Sequence, residues 1–414
     1  MKAPKNYLML MLAASSIALF SACENDAYNS EKAEAENTKD LIAPSDFDWK
    51  MTQTATCAIT SPVNTVVSVY SDADCTDKSL VAENIGLTAN ETKEIPLDIP
   101  SYKSAIYVQY STADGAKVIE GKISSTATRN STEKIVLVLP DAKAVDSSDI
   151  TLTHFYYPGK STQGTLMFED LYPELGDYDF NDFVIGYNVD AFVSIGNKKE
   201  SHDGFTMTFT IRAIGGKLPY RPALRLKGFT MKYLEGAKIT FDTSRTGISM
   251  ELVKGRSDEE DVIFVINGTG SLRKGGFYNT DPESSVDTDL PVVTCKVIKN
   301  NQGNYPFYLM YNNIASNLPA MFDFFLQNTS DKNEIHFKGF QPTDMSNMDP
   351  STEFMHEGRK LVWAIAVPEE IKYPKERVDI LDIYKGNFQS WVSTGGGNHA
   401  DWYKKAVNPT GLFN

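Results

Sequence analysis

Short runs of alternating apolar and polar residues, broken by Asp, Asn, Gly and Ser, dominate the chain from residue 50 onward. VVSVY (66–70), EIPLDI (94–99), AIYVQY (105–110), KVIEGKI (117–123) and KIVLVLP (134–140) are rich in β-branched and aromatic side chains. A period of two puts alternate side chains on opposite faces of a strand, and strands recurring at such short spacing predict an all-β sandwich. Residues 49–140 are therefore expected to form one small, immunoglobulin-like β-sandwich. DAKAVDSSDI (141–150) reads as a polar joint. Beyond it, residues 150–412 predict a larger β-rich unit, with strands at 165–168, 183–189, 205–213, 224–233, 261–266, 292–298, 306–311, 322–327 and 335–339. In FTMTFTI (205–211), Phe205, Met207, Phe209 and Ile211 share one face. The polar, glycine-containing stretch between 268 and 290 reads as a surface loop. One segment carries a helical period: Ile380, Tyr384, Phe388 and Trp391 fall at i, i+4, i+8 and i+11, an apolar stripe bounded by Pro374 ahead and Gly395 behind. The predicted architecture is all-β in the main, a small N-terminal β-sandwich followed by a larger β-sandwich domain with one C-terminal helix.

The N-terminus has a different pattern. Lys2 and Lys5 precede an uncharged apolar stretch from Tyr7 to Phe20, and Ser21-Ala22 leads directly into Cys23. The stretch is short for a membrane span and ends in small residues, so residues 1–22 read as a removable signal peptide. A cysteine in that place looks like a lipobox, with Cys23 lipidated to become the mature N-terminus, although Phe20 stands where a smaller residue is commoner. No other run approaches 18 apolar residues, which leaves the acyl group as the membrane tether. The expected location is the cell envelope, anchored to the outer membrane, with the periplasmic or surface face left open. Residues 23–48, acidic and polar at their start, read as a flexible linker.

Composition narrows the partners. Apolar residues make up 41% of the 414 and aromatics 11%, enough to fill cores and to exclude a disordered or fibrous chain. Against 40 Lys and Arg stand 54 Asp and Glu, a formal charge of −14. Such a field repels phosphate backbones, so nucleic acid is not an expected partner, and it attracts hard cations. Beyond Cys23 there are Cys57, Cys75 and Cys295. Cys57 and Cys75 flank one strand-like run and are either bridged in an oxidising compartment or two free structural thiols. Cys295, in PVVTCKVI, reads as a buried small hydrophobe. The five His are scattered, without zinc spacing.

The segment richest in chemistry is FEDLYPELGDYDFNDFVIGYNV (168–189). Asp177, Asp179 and Asn181 occur at i, i+2 and i+4, an alternation that lets side-chain oxygens converge inside one tight loop, and Glu169, Asp170 and Asp182 lie close enough to join them. These acids carry no Lys or Arg among them and repel one another unless a cation sits between them. Ca²⁺ accepts six to eight oxygens in loose geometry, so it is the expected cofactor. The loop is no EF-hand: counting from Asp177, position six is Asp182 and position twelve is Asn188. Two other readings stand beside the metal. The acids could cap a hairpin through Asx turns, or a carboxylate pair could act on glycosides. No nucleophile elbow, HExxH, P-loop or dinucleotide fingerprint appears, so the expectation is a protein without enzymatic activity.

Phe168-Glu169-Asp170-Leu171, then Gly176-Asp177-Tyr178-Asp179-Phe180-Asn181-Asp182-Phe183-Val184 and Tyr187, resembles the signature of the LruC-domain lipoproteins of Bacteroides-like and related bacteria. So does the C-terminal segment, with GFQPT (339–343), LVWAIAVP (361–368), Tyr373-Pro374, Glu376, Trp391 and Asp401-Trp402-Tyr403. The resemblance covers roughly residues 150 to 405. It implies an envelope lipoprotein with a β-sandwich body and brings no reaction, substrate or catalytic residue. The function expected is binding or adhesion at the cell surface around a Ca-stabilised domain, toward a protein or glycan partner, with a carbohydrate-binding role in glycan uptake as an alternative. For the latter, Trp391, Trp402 and Tyr403 offer a candidate platform, or else they pin the C-terminal tail.

Overall fold

Alternating β-branched positions do become strands. In the computed structural model, residues 35–123, 133–146, 152–194, 202–253, 257–300 and 321–413 are described. The signal peptide, Cys23 and the strand expected at 306–311 lie outside them. The first segment supplies β1 (Thr52–Thr60), β2 (Thr65–Tyr70), β3 (Leu80–Leu87), β4 (Thr92–Pro100), β5 (Ala105–Thr112), β6 (Gly115–Lys122) and β7 (Glu133–Val138). β4-β1-β7 form a three-stranded sheet, with β7 parallel to β1. It shares a core with β3-β2-β5-β6, where Cys57, Ile59, Ile95 and Leu97 meet Val67, Val69, Ile106 and Val108. β1 was not foreseen because its inward positions begin with the small Ala55 and Cys57, set among threonines, and only Ile59 at its end is large and apolar.

The second segment supplies β8 (Leu152–Tyr157), β9 (Gly164–Phe168), β10 (Phe183–Ser194), β11 (His202–Ala213), β12 (Tyr220–Thr230), β13 (Lys238–Thr243), β14 (Ser249–Val253), β15 (Asp261–Asn267), β16 (Val292–Asn300), β17 (Phe322–Asn328), β18 (Glu334–His336) and β19 (Ala364–Val367). β14-β15-β12-β17-β18 make a five-stranded sheet, while β13-β16-β11-β10-β8 continue directly into β3-β2-β5-β6, with β9 and β19 branching from β10. The junction is the short pairing of Ala82 with Phe155 and Glu83 with His154. The face expected from FTMTFTI is inward: Phe209 and Tyr187 each meet Phe324 of the facing sheet, with ring centroids 5.8 and 5.3 Å apart.

The helix forms where its stripe predicts, as α1 (Ile380–Ser393), and Ile380, Tyr384, Phe388 and Trp391 are all buried. Asp379 caps it by accepting the Leu381 N–H at 2.8 Å. The Gly395 and Gly396 N–H groups close its end on Val392 and Trp391 carbonyls, with Gly395 at φ +60°, the left-handed turn that glycine adopts without penalty.

Two expectations need correcting, and one left open is decided. The 23–48 segment is not a flexible linker throughout, because Leu41, Ala43 and Phe47 are buried with Trp49 against α1. The Phe47 ring stands edge-on to Trp391 at 5.0 Å. The stretch between 268 and 290 is not wholly a surface loop. Tyr278, Asn279 and Thr280 are buried, since Tyr278 bridges to Ile214 and the Asn279 side-chain amide donates to Arg212 and Asp287 carbonyls. Finally, Cys57 and Cys75 are both free thiols. Cys57 points into the sandwich core, where burial pushes its pKa up to about 12, whereas Cys75 sits in the turn after β2. Cys295 is buried, as its strand pattern required.

Candidate metal centre

The acidic segment is the connection between β9 and β10, closed at its base by the pairing of Phe168 with Phe183. Glu169 leaves β9 with its N–H bound to the Trp363 carbonyl at 2.8 Å, which fixes its side chain at the root of the loop. Tyr178 and Phe180 both adopt positive φ, +55° and +51°, a conformation that costs a non-glycine residue roughly 1–2 kcal/mol. What holds them there is visible. Both rings are buried beside α1, and both backbone N–H groups donate to Glu169, from Phe180 to Oε1 at 2.6 Å and from Tyr178 to Oε2 at 3.2 Å. With every second residue turned inward by its ring, the intervening Asp177, Asp179 and Asn181 share the other side of the loop.

Carboxylate oxygens of Glu169, Asp177 and Asp179 lie within 4.8 Å of one another. Glu169 and Asp179 are buried and Asp177 is exposed, so the cluster opens to solvent through Asp177. Asp179 also accepts the Asn181 N–H at 3.1 Å and the Arg377 N–H at 2.8 Å. Asn181, fully buried, donates its amide to the Pro374 carbonyl at 3.2 Å. Its Oδ1 has no hydrogen-bond partner among the described residues. Asp170 and Asp182 turn elsewhere. Asp182 Oδ2 accepts the Asp170 N–H at 2.8 Å, and Asp170 Oδ2 accepts the Leu218 N–H at 3.2 Å. The Arg273 guanidinium acts electrostatically on this pair.

Three glycines let the chain close around these acids. A Cβ on Gly176 would stand 2.2 Å from Glu169 Oε2, one on Gly216 2.3 Å from Asp170 Oδ2, and one on Gly215 2.0 Å from Asn181 Oδ1 and 2.9 Å from Glu376 Oε2. Glu376 thus stands beside Asn181 and feels the charge of Asp177, although it lies some two hundred residues away in sequence. Nothing in the local pattern of the acidic loop could have placed it there.

The electrostatics are lopsided. Burial, followed by the charges of Asp182, Asp179 and Asp177, pushes Glu169 well above the usual carboxylate range. Asp179 is driven the same way by burial and Asp177, and Asp182 by burial and Asp170. Asp170 rises through burial, opposed by the Leu218 N–H and Arg273. Glu376 rises through burial, with Asp177 adding to it. The donors are all oxygens, three carboxylates with an orphan amide oxygen nearby, and no Cys or His among the described residues joins them. Such a set fits a hard cation rather than a thiol- or imidazole-seeking metal.

The candidate sugar platform is absent. Trp391 and Trp402 are fully buried and Tyr403 nearly so, and Trp402 stands edge-on to Phe388 at 4.9 Å. These rings pin the C-terminal tail.

Two family models match the chain. A domain of unknown function, DUF4842, matches residues 203–403, and a second, DUF4841, matches residues 65–137. Neither carries the LruC name, and the acidic loop lies between them. No curated protein matches. Among solved structures, the crystal structure of a Bacteroides ovatus protein with the provisional description of lipoprotein is similar at a TM-score of 0.68 and 18% identity, covering 84% of this chain and 99% of that one. The full-length major pilin SpaD of Corynebacterium diphtheriae aligns at a TM-score of only 0.14 and 9% identity, covering 71% and 65% of the two chains, and carries no argument. The chain is therefore similar in sequence to two domains of unknown function and shares the fold of the Bacteroides ovatus protein over most of its length.

Proposed function

We propose that this chain is a non-catalytic, lipid-anchored protein of the Bacteroides-type cell envelope. Its larger β module is stabilised by Ca²⁺ at Glu169, Asp177 and Asp179, and it serves binding or adhesion at the cell surface. The observation that carries the metal is the convergence of those three carboxylates, two of them buried, with charges of their own sign as their strongest electrostatic neighbours. A buried charge without compensation is costly, and a divalent ion removes that cost. Catalysis is a poorer account, because two of these carboxylates are already held by backbone N–H groups and the three stand too close together to admit a sugar ring. The anchor rests on the pattern ending at Cys23.

Binding of Ca²⁺ to the folded state alone, at a hundredfold excess over its dissociation constant, stabilises it by about 2.7 kcal/mol. The melting temperature of the full chain is therefore expected to fall by several degrees on adding EGTA and to recover with Ca²⁺. Asp177→Ala with Asp179→Ala removes that dependence. A wild-type melting curve indifferent to chelator discards the metal.

A carbohydrate partner has one specific support, a polar cleft of about 370 Å³ that includes Asp72, Lys103, Tyr102 and Glu370 among its walls. The ammonium of Lys404 lies 4.2 Å from the centroid of the Tyr102 ring, so a sugar stacking there has to displace it. The protein-binding reading is preferred for that reason.

A further inference from the structure

We infer that the cation is shared between the β9–β10 loop and the C-terminal segment, with Glu376 as a ligand, so that the ion clasps α1 to the body of the protein. This rests on the metal reading above and adds to it a ligand and a consequence.

The chain from Pro374 to Ile380 runs directly over residues 178–181. Three hydrogen bonds stitch the two together: Arg377 N–H to Asp179 Oδ2 at 2.8 Å, Ile380 N–H to the Tyr178 carbonyl at 2.9 Å, and Asn181 Nδ2–H to the Pro374 carbonyl at 3.2 Å. Within this seam Glu376 is half-buried and feels the charge of Asp177. Its Oε2 and the orphan Oδ1 of Asn181 flank one point above Gly215, at 2.9 and 2.0 Å. Thr280 holds Glu376 from the far side, accepting its N–H at 3.1 Å and donating its hydroxyl to Oε2 at 3.2 Å. The carboxylate is therefore positioned rather than free to swing into solvent. Asn181 Oδ1 is the independent sign of a ligand, because a fully buried amide oxygen with no donor leaves its desolvation uncompensated. A hard cation between Glu169, Asp177 and Asp179 on one side and Asn181 and Glu376 on the other satisfies it. Five such side chains approach the six to eight oxygens that Ca²⁺ takes, and the exposed side of Asp177 admits water for the rest.

Without the ion, the same carboxylates repel across the seam, against the three hydrogen bonds that join residues 374–380 to 178–181. Residues 374–393 should then loosen locally while the sheets persist. Trp391 and Trp402, buried in the cluster that α1 builds, report that event.

The test uses the full chain, Ca²⁺ titrated by calorimetry, and hydrogen exchange resolved by peptide in Ca²⁺ and in EGTA. Glu376→Gln is expected to weaken Ca²⁺ binding at least tenfold, and Glu376→Asp to weaken it less. Glu120→Gln, on the exposed face of β6, leaves it unchanged. In the wild type, chelation speeds exchange across 376–393 and shifts tryptophan emission to the red, while β10 and β11 stay protected. If the wild type binds Ca²⁺ but Glu376→Gln binds it equally well, or if exchange in α1 ignores the ion, the clasp is wrong and the ion belongs to the loop alone. If the wild type binds no Ca²⁺, the metal reading and the clasp fall together.

Discussion

Asp98 shows what burial does to a single side chain. It sits on β4 opposite Thr54 of β1, and one carboxylate oxygen is buried without a partner. Desolvation raises its pKa to about 7, despite a hydrogen bond from Thr54 and the charge of Lys50, and its charge is felt by Tyr157 and Tyr187. Because the folded pKa lies above the unfolded one, the unfolded chain releases this proton first as pH rises. The carboxylate therefore costs nothing below pH ~4 and destabilises progressively up to about 7. Asp98→Asn is expected to flatten that decline and to exceed the wild type by about 1–3 kcal/mol above pH 7, read from denaturant unfolding at several pH values. Equal pH profiles for the two proteins would sink this assignment. On His336 burial acts with the opposite sign, although the net shift is again upward. Burial pulls its pKa down, but Asp323 and Glu334 outweigh that and hold it raised, with ring nitrogens at 2.8 and 3.0 Å from the two carboxylates. Arg225 completes this buried group at 2.6 Å from Asp323, so its charges are balanced where those of the acidic cluster around Glu169 are not.

At the scale of elements, the informative contrast is between strands and the loops that join them. Where a strand faces one core, its pattern sufficed: 205–211, 261–266 and 322–327 were legible because Phe, Ile and Val alternate or run together there. The α1 stripe was legible for the same reason. Loops gave only their chemistry. Asp177, Asp179 and Asn181 announced a cluster, yet their spacing could not tell that Asp170 and Asp182 engage backbone N–H groups and feel Arg273, or that Glu376 faces Asn181. Gly176 makes this closeness testable. Gly176→Ala places a methyl against Glu169 Oε2, and we expect a loss of about 1–3 kcal/mol in stability together with weaker Ca²⁺ binding. Gly270→Ala, where the new Cβ meets nothing nearer than 3.7 Å, is expected to change neither. Thermal melts and calorimetry of the two variants check both halves, and a silent Gly176→Ala removes the tight-packing account of the loop.

In the molecule as a whole, the two ends of the described chain meet. Leu41, Phe47, Trp49 and Met51 share a core with α1, Trp402 and Phe413, and the Lys338 ammonium reaches the Phe47 carbonyl at 2.5 Å. Residues 41–51 are therefore tied to the larger module before the chain enters the smaller one. No helix among the described residues is long and apolar enough to cross a membrane. Labelling cells with a palmitate analogue is expected to mark the wild-type protein and to leave Cys23→Ala unmarked. A labelled Cys23→Ala protein removes the anchor from this account.

The sequence by itself determined most of the elements and their chemistry. Periods of 2 and 3.6 follow from backbone geometry within a few residues, and a run of acids without cations signals its own repulsion. Tertiary structure decided what depends on residues distant along the chain. It joined β3 to β8 and so merged the two sheets, kept Cys57 and Cys75 apart, buried Trp391 and Trp402, and brought Glu376 to Asn181. These are outcomes of closing long loops around a common core, and no local pattern records which distant surface a side chain will meet.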